Sequence, residues 1–239
     1  MKTSELLAII KTSLTDDNVY RTDAFLLERL NDGYKLTSLF TLFDERRVSL
    51  AITGVRNFFA MPKSGTDICI APLYLADGSN GRRVHPCQLD QFEYYKSGWE
   101  GDVSSSHASQ YVVLSPFNYA HAAIVVCPIA DTGSVVYNMI GAFIPATLTV
   151  ASDTQISDAH VDILLRYTRF AAFITEPGRA EDAVGEYKLF TEGLAQAVMS
   201  LRSRFPSGRD YEPFPLEFIY DTAPEEQNKV VEPKGESNA

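Results

Sequence analysis

The spacing of apolar positions changes twice along the chain. Leu6, Ile10 and Leu14, with Leu7 beside them, recur at the interval of one helical face. Thr3 or Ser4 is placed to cap that helix, because a hydroxyl oxygen can accept from the free N–H groups of the first turn. Asp16, Asp17 and Asn18 break it. Thr22-Asp23 caps a second, longer helix with two stripes, one of Leu26, Leu30 and Tyr34, the other of Leu36, Leu39, Phe40 and Phe43. Gly33 falls inside it at a cost of about 1 kcal/mol relative to alanine, so a bend or break is expected there.

From Val48 the runs become short and rich in Val, Ile, Tyr and Phe. They cover 48–52, 57–60, 68–75, 111–114, 122–127 and 135–144, separated by Met61-Pro62, Asp77-Gly78, Asn80-Gly81, Ser115-Pro116 and Thr132-Gly133. That alternation predicts antiparallel strands with tight connections, and residues 77–81 predict a hairpin turn between Leu75 and Val84. Residues 88–96 (QLDQFEYYK) predict a short helix, and residues 98–109 an exposed loop.

Helical spacing returns near Ser157. Val161, Leu164, Leu165, Thr168, Ala171 and Ala172 share a face, flanked by Ile163, Tyr167, Phe170 and Ile174, which predicts a largely buried helix. Pro177-Gly178 ends it. Residues 179–204 predict a last helix with Tyr187, Phe190, Leu194, Ala197, Val198 and Leu201 on one side. The short link makes the pair antiparallel. The expected fold class is α+β. Residues 1–47 and 152–204 build a helical bundle, 48–151 form an inserted antiparallel β lobe (sandwich- or barrel-like), and 205–239 form an extended C-terminal arm.

The arm stands apart in composition. The whole chain of 239 residues is ordinary for a globular protein, with 45% hydrophobic and 22% charged residues. Its net charge is -10, and residues 205–239 carry three basic and eight acidic residues, half of that excess. Five of the 12 prolines lie there, which opposes a helix. Within the arm Tyr211, Phe214, Leu216, Phe218, Ile219 and Tyr220 form an apolar cluster; beyond Thr222 the sequence is polar and reads as disordered. The cluster fits either a strap on its own domain or an arm docked on a neighbouring subunit.

The acidic balance argues against stable nucleic-acid binding, which draws its affinity from neutralised phosphates. The N-terminus MKTSELLAIIKTSLTDD has no long apolar core, so a signal peptide is not expected, and no run approaches the roughly 18 residues of a membrane span. Cys69, Cys87 and Cys127 are odd in number and widely spaced, which predicts buried or half-buried thiols in a reducing compartment.

Catalytic and metal motifs are not found. His85, His107, His121 and His160 form no metal-ligand spacing. Ser104-Ser105-Ser106-His107 lacks the strained turn that presents a nucleophile, and Cys87 near His85 has no electropositive surroundings to lower its pKa. No glycine-rich phosphate cradle occurs. Asp16-Asp17 and Glu181-Asp182 sit at predicted helix starts, where they complement the dipole. Arg46-Arg47, Arg82-Arg83 and the pair Arg202 and Arg204 are small basic spots; arginine on a strand edge also discourages unwanted pairing. No enzyme activity and no cofactor are expected.

The order of these elements resembles phage head–tail adaptor proteins of the connector-ring or tail-tubular type. The likeness is carried by SELLAIIKTSLTDD followed by YRTDAFLLERLNDGYK with its Leu30-Asn31-Asp32, by FFAMP and ADGSNGRRVHPCQLDQFEYYKSGW, by YVVLSP and CPIADTG, and by the final helix pair that ends at Arg204. It covers about residues 4–204. The resemblance implies a structural virion subunit at the head–tail interface, made in the host cytoplasm. Copies would form a ring, commonly a homododecamer, that binds the portal protein on one side and a tail or nozzle protein on the other. DNA would pass through its lumen during ejection without specific binding, and no membrane would be involved. By analogy Tyr211, Phe214, Leu216, Phe218 and Tyr220 would contact a partner. Another phage neck or tail-terminator protein is the alternative.

Overall fold

The computed structural model describes residues 1–14, 21–53, 58–61, 63–64, 67–90, 103–104, 108–114, 122–130 and 134–204. The chain is α+β. Four helices occupy the two ends of this span: α1 (Thr3–Leu14), α2 (Asp23–Thr41), α3 (Val161–Ile174) and α4 (Ala180–Arg204). Between α2 and α3 run β1 (Glu45–Thr53), β2 (Phe58–Ala60), β3 (Lys63–Ser64), β4 (Asp67–Asp77), β5 (Arg83–Pro86), β6 (Val103–Ser104), β7 (Gln110–Leu114), β8 (Ala123–Cys127), β9 (Ile129–Ala130) and β10 (Ser134–Phe143).

The sheet differs from the expected antiparallel lobe. It is a curled, mixed sheet in the order β1-β10-β4-β5-β7-β8-β2, with β3 on β4 and a separate β6-β9 pair. β5 pairs β7 in parallel, as β6 does β9. The physical reason is connection length: antiparallel neighbours need only a tight turn, whereas the long segment between β5 and β7 lets the chain cross back and run the same way. The predicted exposed loop over 98–109 therefore contains a paired strand, β6, and a buried residue, Ala108. The short helix expected over 88–96 begins at Leu89 and Asp90; the rest of it lies outside the described residues.

The hairpin at 77–81 is present. Gly81 has a positive φ of 70°, the Asp77 carboxylate accepts from the Ser79 N–H at 2.7 Å, and Asn80 accepts from the Arg82 N–H at 2.8 Å. Register assigns each side chain to a face. Val48, Met139, Leu75 and Val84 share one row, and Leu50, Tyr137 and Asp77 the next. These rows face a core that includes Tyr111, Ile124 and Val126. Arg47, Ile140 and Tyr74 share a row on the opposite face, as do Ala51 and Val136.

The helices pack from their predicted stripes. Leu6, Leu7, Ile10 and Leu14 of α1 join Leu26, Leu30 and Tyr34 of α2 and Val161, Leu164 and Ala172 of α3 in one buried cluster. A second holds Ile163 of α3 with Phe190, Leu194, Ala195, Ala197 and Val198 of α4, covered by the half-buried Leu36 and Phe40. Each buried leucine or phenylalanine contributes about 1.5–3 kcal/mol.

Two local expectations fail for identifiable reasons. Neither Thr3 nor Ser4 caps α1. Lys2 precedes the helix, its N–H donating to the Glu5 carboxylate at 3.0 Å, while the Thr3 hydroxyl donates to the carbonyl of Ser152 at 2.9 Å. A distant loop segment, whose Asp153 forms an isolated bridge with Lys2, competes for the hydroxyl and wins it. Gly33 produces no break, since α2 runs on to Thr41. A Cβ there would stand 2.7 Å from Cδ1 and 3.0 Å from Cγ of Tyr167. The glycine serves the close approach of α2 to α3, a role that local propensity does not express.

Polar side chains of α2 fasten the segment leaving β10. The Ser38 hydroxyl donates to the carbonyl of Phe143 at 3.1 Å, and the Tyr34 hydroxyl accepts from the N–H of Gln155 at 3.0 Å. Asn31 makes three bonds: its amide donates to the carbonyls of Leu27 (2.9 Å) and Leu148 (3.1 Å), and its oxygen accepts from the Leu148 N–H (2.6 Å). At the exit of α2, Leu42 adopts a left-handed backbone at φ 52°, which disfavours a side chain by about 1–2 kcal/mol. Its own burial against Leu73 and Ala142 offsets that cost.

Candidate docking site

The residues expected to contact a partner, Tyr211, Phe214, Leu216, Phe218 and Tyr220, lie outside the described residues. The structure does define the element that delivers them. α4 begins with Glu181 and Asp182 in its first turn, where carboxylates favour the helix dipole, and Asp182 pairs with Arg179. The helix then runs antiparallel to α3. Ala183 lies in the cluster that holds Phe173, Glu186 pairs with Arg166 at 3.2 Å, and a Cβ on Gly193 would be 3.2 Å from Ile163.

Aromatic rings lock this hairpin. Tyr167 meets Phe190 edge-on at 5.2 Å between centroids, and Phe170 meets Tyr187 at 5.0 Å. Beside them Arg166 bridges Asp162 of its own helix and Glu186 of α4. Burial pushes the Arg166 guanidinium down, but the hydrogen bonds it donates to both carboxylates outweigh that and the net shift is upward. At the α3–α4 turn, Arg21 and Arg179 both lie over the Phe173 ring and both pair with Glu176.

α2 is antiparallel to α3 as well. Arg21, just before α2, pairs with Glu176 after α3, and Leu36 and Phe40 reach the cluster of Leu194 and Val198. α4 therefore runs in the same direction as α2, with its second half beside the second half of α2. This direction follows from helix packing and has no signal in the sequence of the arm.

The side chains considered for chemistry are dispersed. His85 is exposed on β5, His160 is half-buried before α3, and Ser104 lies on β6. Residues 105–107 and His121 lie outside the described residues. Cys69 and Cys127 are buried and Cys87 half-buried, all as free thiols. Burial, and secondarily Cys127, pushes the Cys87 thiol up to about 11, away from a reactive thiolate. Among the described residues no group of three or more His, Cys, Asp or Glu side chains could hold a metal ion, and no helix is long and apolar enough to cross a membrane.

Exposed apolar side chains are found on several elements, two of which carry more than one. Val184, Leu189 and Met199 project from α4, and Val136 and Ile140 from the outer face of the sheet. Sequence patterning missed the polar joint of Asn31, Ser38 and Tyr34. The available signal was three hydrogen-bonding side chains on the buried side of an amphipathic helix, where an unsatisfied polar group is costly.

In these elements the polar side chains hold one part of the chain to another, as they do in a structural subunit. Over residues 1–211 the chain matches the family described as SU10 adaptor protein. It belongs to that family of phage head–tail adaptors and is a structural component of a phage virion. No curated protein matches it. The match runs past α4 to Tyr211, the first residue of the apolar cluster in the arm.

Proposed function

We propose that copies of this chain form a ring that joins the portal vertex to the tail and continues the DNA channel. The observation that carries this is membership in the adaptor family over nearly the whole chain. Charge supports it: a subunit with a net charge of -10 lets DNA pass without gripping it. Side-to-side heterologous contacts that close on themselves generate such a ring.

In this reading residues 1–47 and 152–204 make the helical body, 48–151 a β lobe, and 205–239 an arm. Tyr211, Phe214, Leu216, Phe218 and Tyr220 dock on the portal, and ordering of the arm there adds contact area that the free subunit lacks. The free chain is then a monomer that assembles on the portal. A tail or nozzle protein takes the opposite side of the ring.

Mass photometry of the chain mixed with its cognate portal tests the proposal. A discrete increment of about twelve subunits is expected for a closed ring on the portal. An intact portal with no increment would overturn it.

A further inference from the structure

The tip of the α3–α4 hairpin exposes apolar side chains to water. Ile174 is 63% exposed and Val184 56%, more than any other large apolar side chain among the described residues. They flank a turn whose outward charge is acidic. Glu176, Glu181 and Asp182 are exposed, whereas the two guanidiniums of the tip are drawn inward: Arg21 is buried and Arg179 half-buried, both over the Phe173 ring.

The outer face of the sheet has the opposite charge around a similar apolar pair. Val136 and Ile140 are exposed along β10. Ile140 shares a row with Arg47 and Tyr74, and the next row holds Ser49, Asn138, Ala76 and Arg83. Arg83 lies over the Tyr74 ring at 5.4 Å, Arg47 is exposed, and Arg82 is exposed at the hairpin beside them. Glu45, at the helix end of β1, is the acid on this face. Arginine and tyrosine around exposed aliphatic groups are the composition of an interface centre.

The two patches cannot meet within one chain. Arg21, just before α2, pairs with Glu176, so the tip lies at the start of α2. The sheet lies beyond its other end: Leu42, which follows α2, packs on Ala142 of β10, and the chain leaving β10 runs back along α2, with Phe143 held by Ser38 and Leu148 by Asn31. The 19 residues of α2 separate the two by about 28 Å.

We propose that the hairpin tip of one copy seats on the outer sheet face of the next. This rests on the ring reading and names the surfaces that close the ring. Ile174 and Val184 meet Val136 and Ile140, which removes all four from water. The carboxylates of the tip face Arg47, Arg82 and Arg83, and this complementarity orients the subunits as they meet. Because the two patches differ, the contact is heterologous, the class that propagates from copy to copy until it closes.

Cross-linking on the cognate portal tests it, with the full chain carrying both Ile140→Cys and Val184→Cys and a short bismaleimide as the reagent. A ladder of linked chains is expected. Neither single variant should give one, nor should the wild type, whose thiols are buried or half-buried. No ladder on a portal that still gains the ring increment overturns this contact and leaves the ring standing. Linked pairs from Ile140→Cys alone mean that face meets face, and a product joined to the portal gives the surface to that partner; either overturns the contact. In a second arm, Ile140→Asp and Val184→Asp should each keep the wild-type melting temperature and lose the ring increment. An increment unchanged in both rejects the contact. A wild type that gives no increment overturns the ring reading, and this contact with it.

Discussion

The carboxamide of Asn31 and the main chain of Leu148, 117 positions apart, bind each other in both directions. Leu148 donates its N–H and receives a donor at its carbonyl, as it would from a neighbouring β-strand, but the partner is a helix side chain. A third bond, to the carbonyl of Leu27, holds the side chain in place. Asn31→Leu leaves both Leu148 groups without this partner in a buried setting. We expect a loss of about 2–4 kcal/mol in urea denaturation. A loss under about 0.5 kcal/mol would mean the bonds do not hold the joint.

Gly33→Ala should destabilise although alanine is the better helix former. The gain in propensity is about 1 kcal/mol, whereas the new Cβ meets the stiff base of the Tyr167 side chain, and overpacking costs about 1–3 kcal/mol. In a Tyr167→Ala background the same substitution should cost less, because the atoms at 2.7 and 3.0 Å are gone and only the Tyr167 Cβ at 3.2 Å remains. A double-mutant cycle by thermal melting reads the coupling. Additive effects would place the glycine's role elsewhere.

Two leucines on α4 separate its faces. Leu194 is 2% exposed in the cluster with Phe190 and Val198, so Leu194→Asp buries an unpaired carboxylate and should cost about 4 kcal/mol. Leu189 is 44% exposed, and Leu189→Asp should stay within about 1 kcal/mol of the wild type. Melting temperatures of the two variants give the comparison. Similar values would show that the assigned face of α4 is wrong.

Alkaline pH should weaken the fold. Burial pushes the Cys69 thiol from its ordinary 9.0 up to about 12, and burial with Asp77 nearby pushes the Tyr137 hydroxyl from 10.0 up to about 12. The folded chain therefore keeps protons that the unfolded chain releases first. Stability from these groups is fully present below about pH 9 and is lost as pH rises toward 12. Midpoints of urea denaturation at pH 8 and pH 10.5 measure it, and Cys69→Ala should lessen the decline. A midpoint independent of pH across that window would refute these assignments.

Much of the fold was legible because burial leaves a periodic trace. The stripes of α1, α2, α3 and α4 and the strands β1, β4, β7, β8 and β10 follow the apolar spacing within one to three residues at each end. The hairpin at Gly81 was legible for a different reason: a positive φ restricts the residue locally. The parallel pairing of β5 with β7 was not, because strand direction depends on where the intervening chain goes. The cap of α1 was misassigned because Thr3 looks like a local cap until Ser152 arrives beside it.

The alternation in the arm belongs to the sequence alone. Phe214, Leu216, Phe218 and Tyr220 share a parity with one another and the two prolines share the other, a property of the chain alone. The sequence by itself determined the helix faces, the strand runs, the acidic arm and the likeness to head–tail adaptors, since each is written in local composition or in the order of elements. Sheet order, the use of Gly33 against Tyr167 and the grip of Asn31 on Leu148 were decided by tertiary structure, because each depends on groups far apart in the chain whose meeting no local pattern encodes.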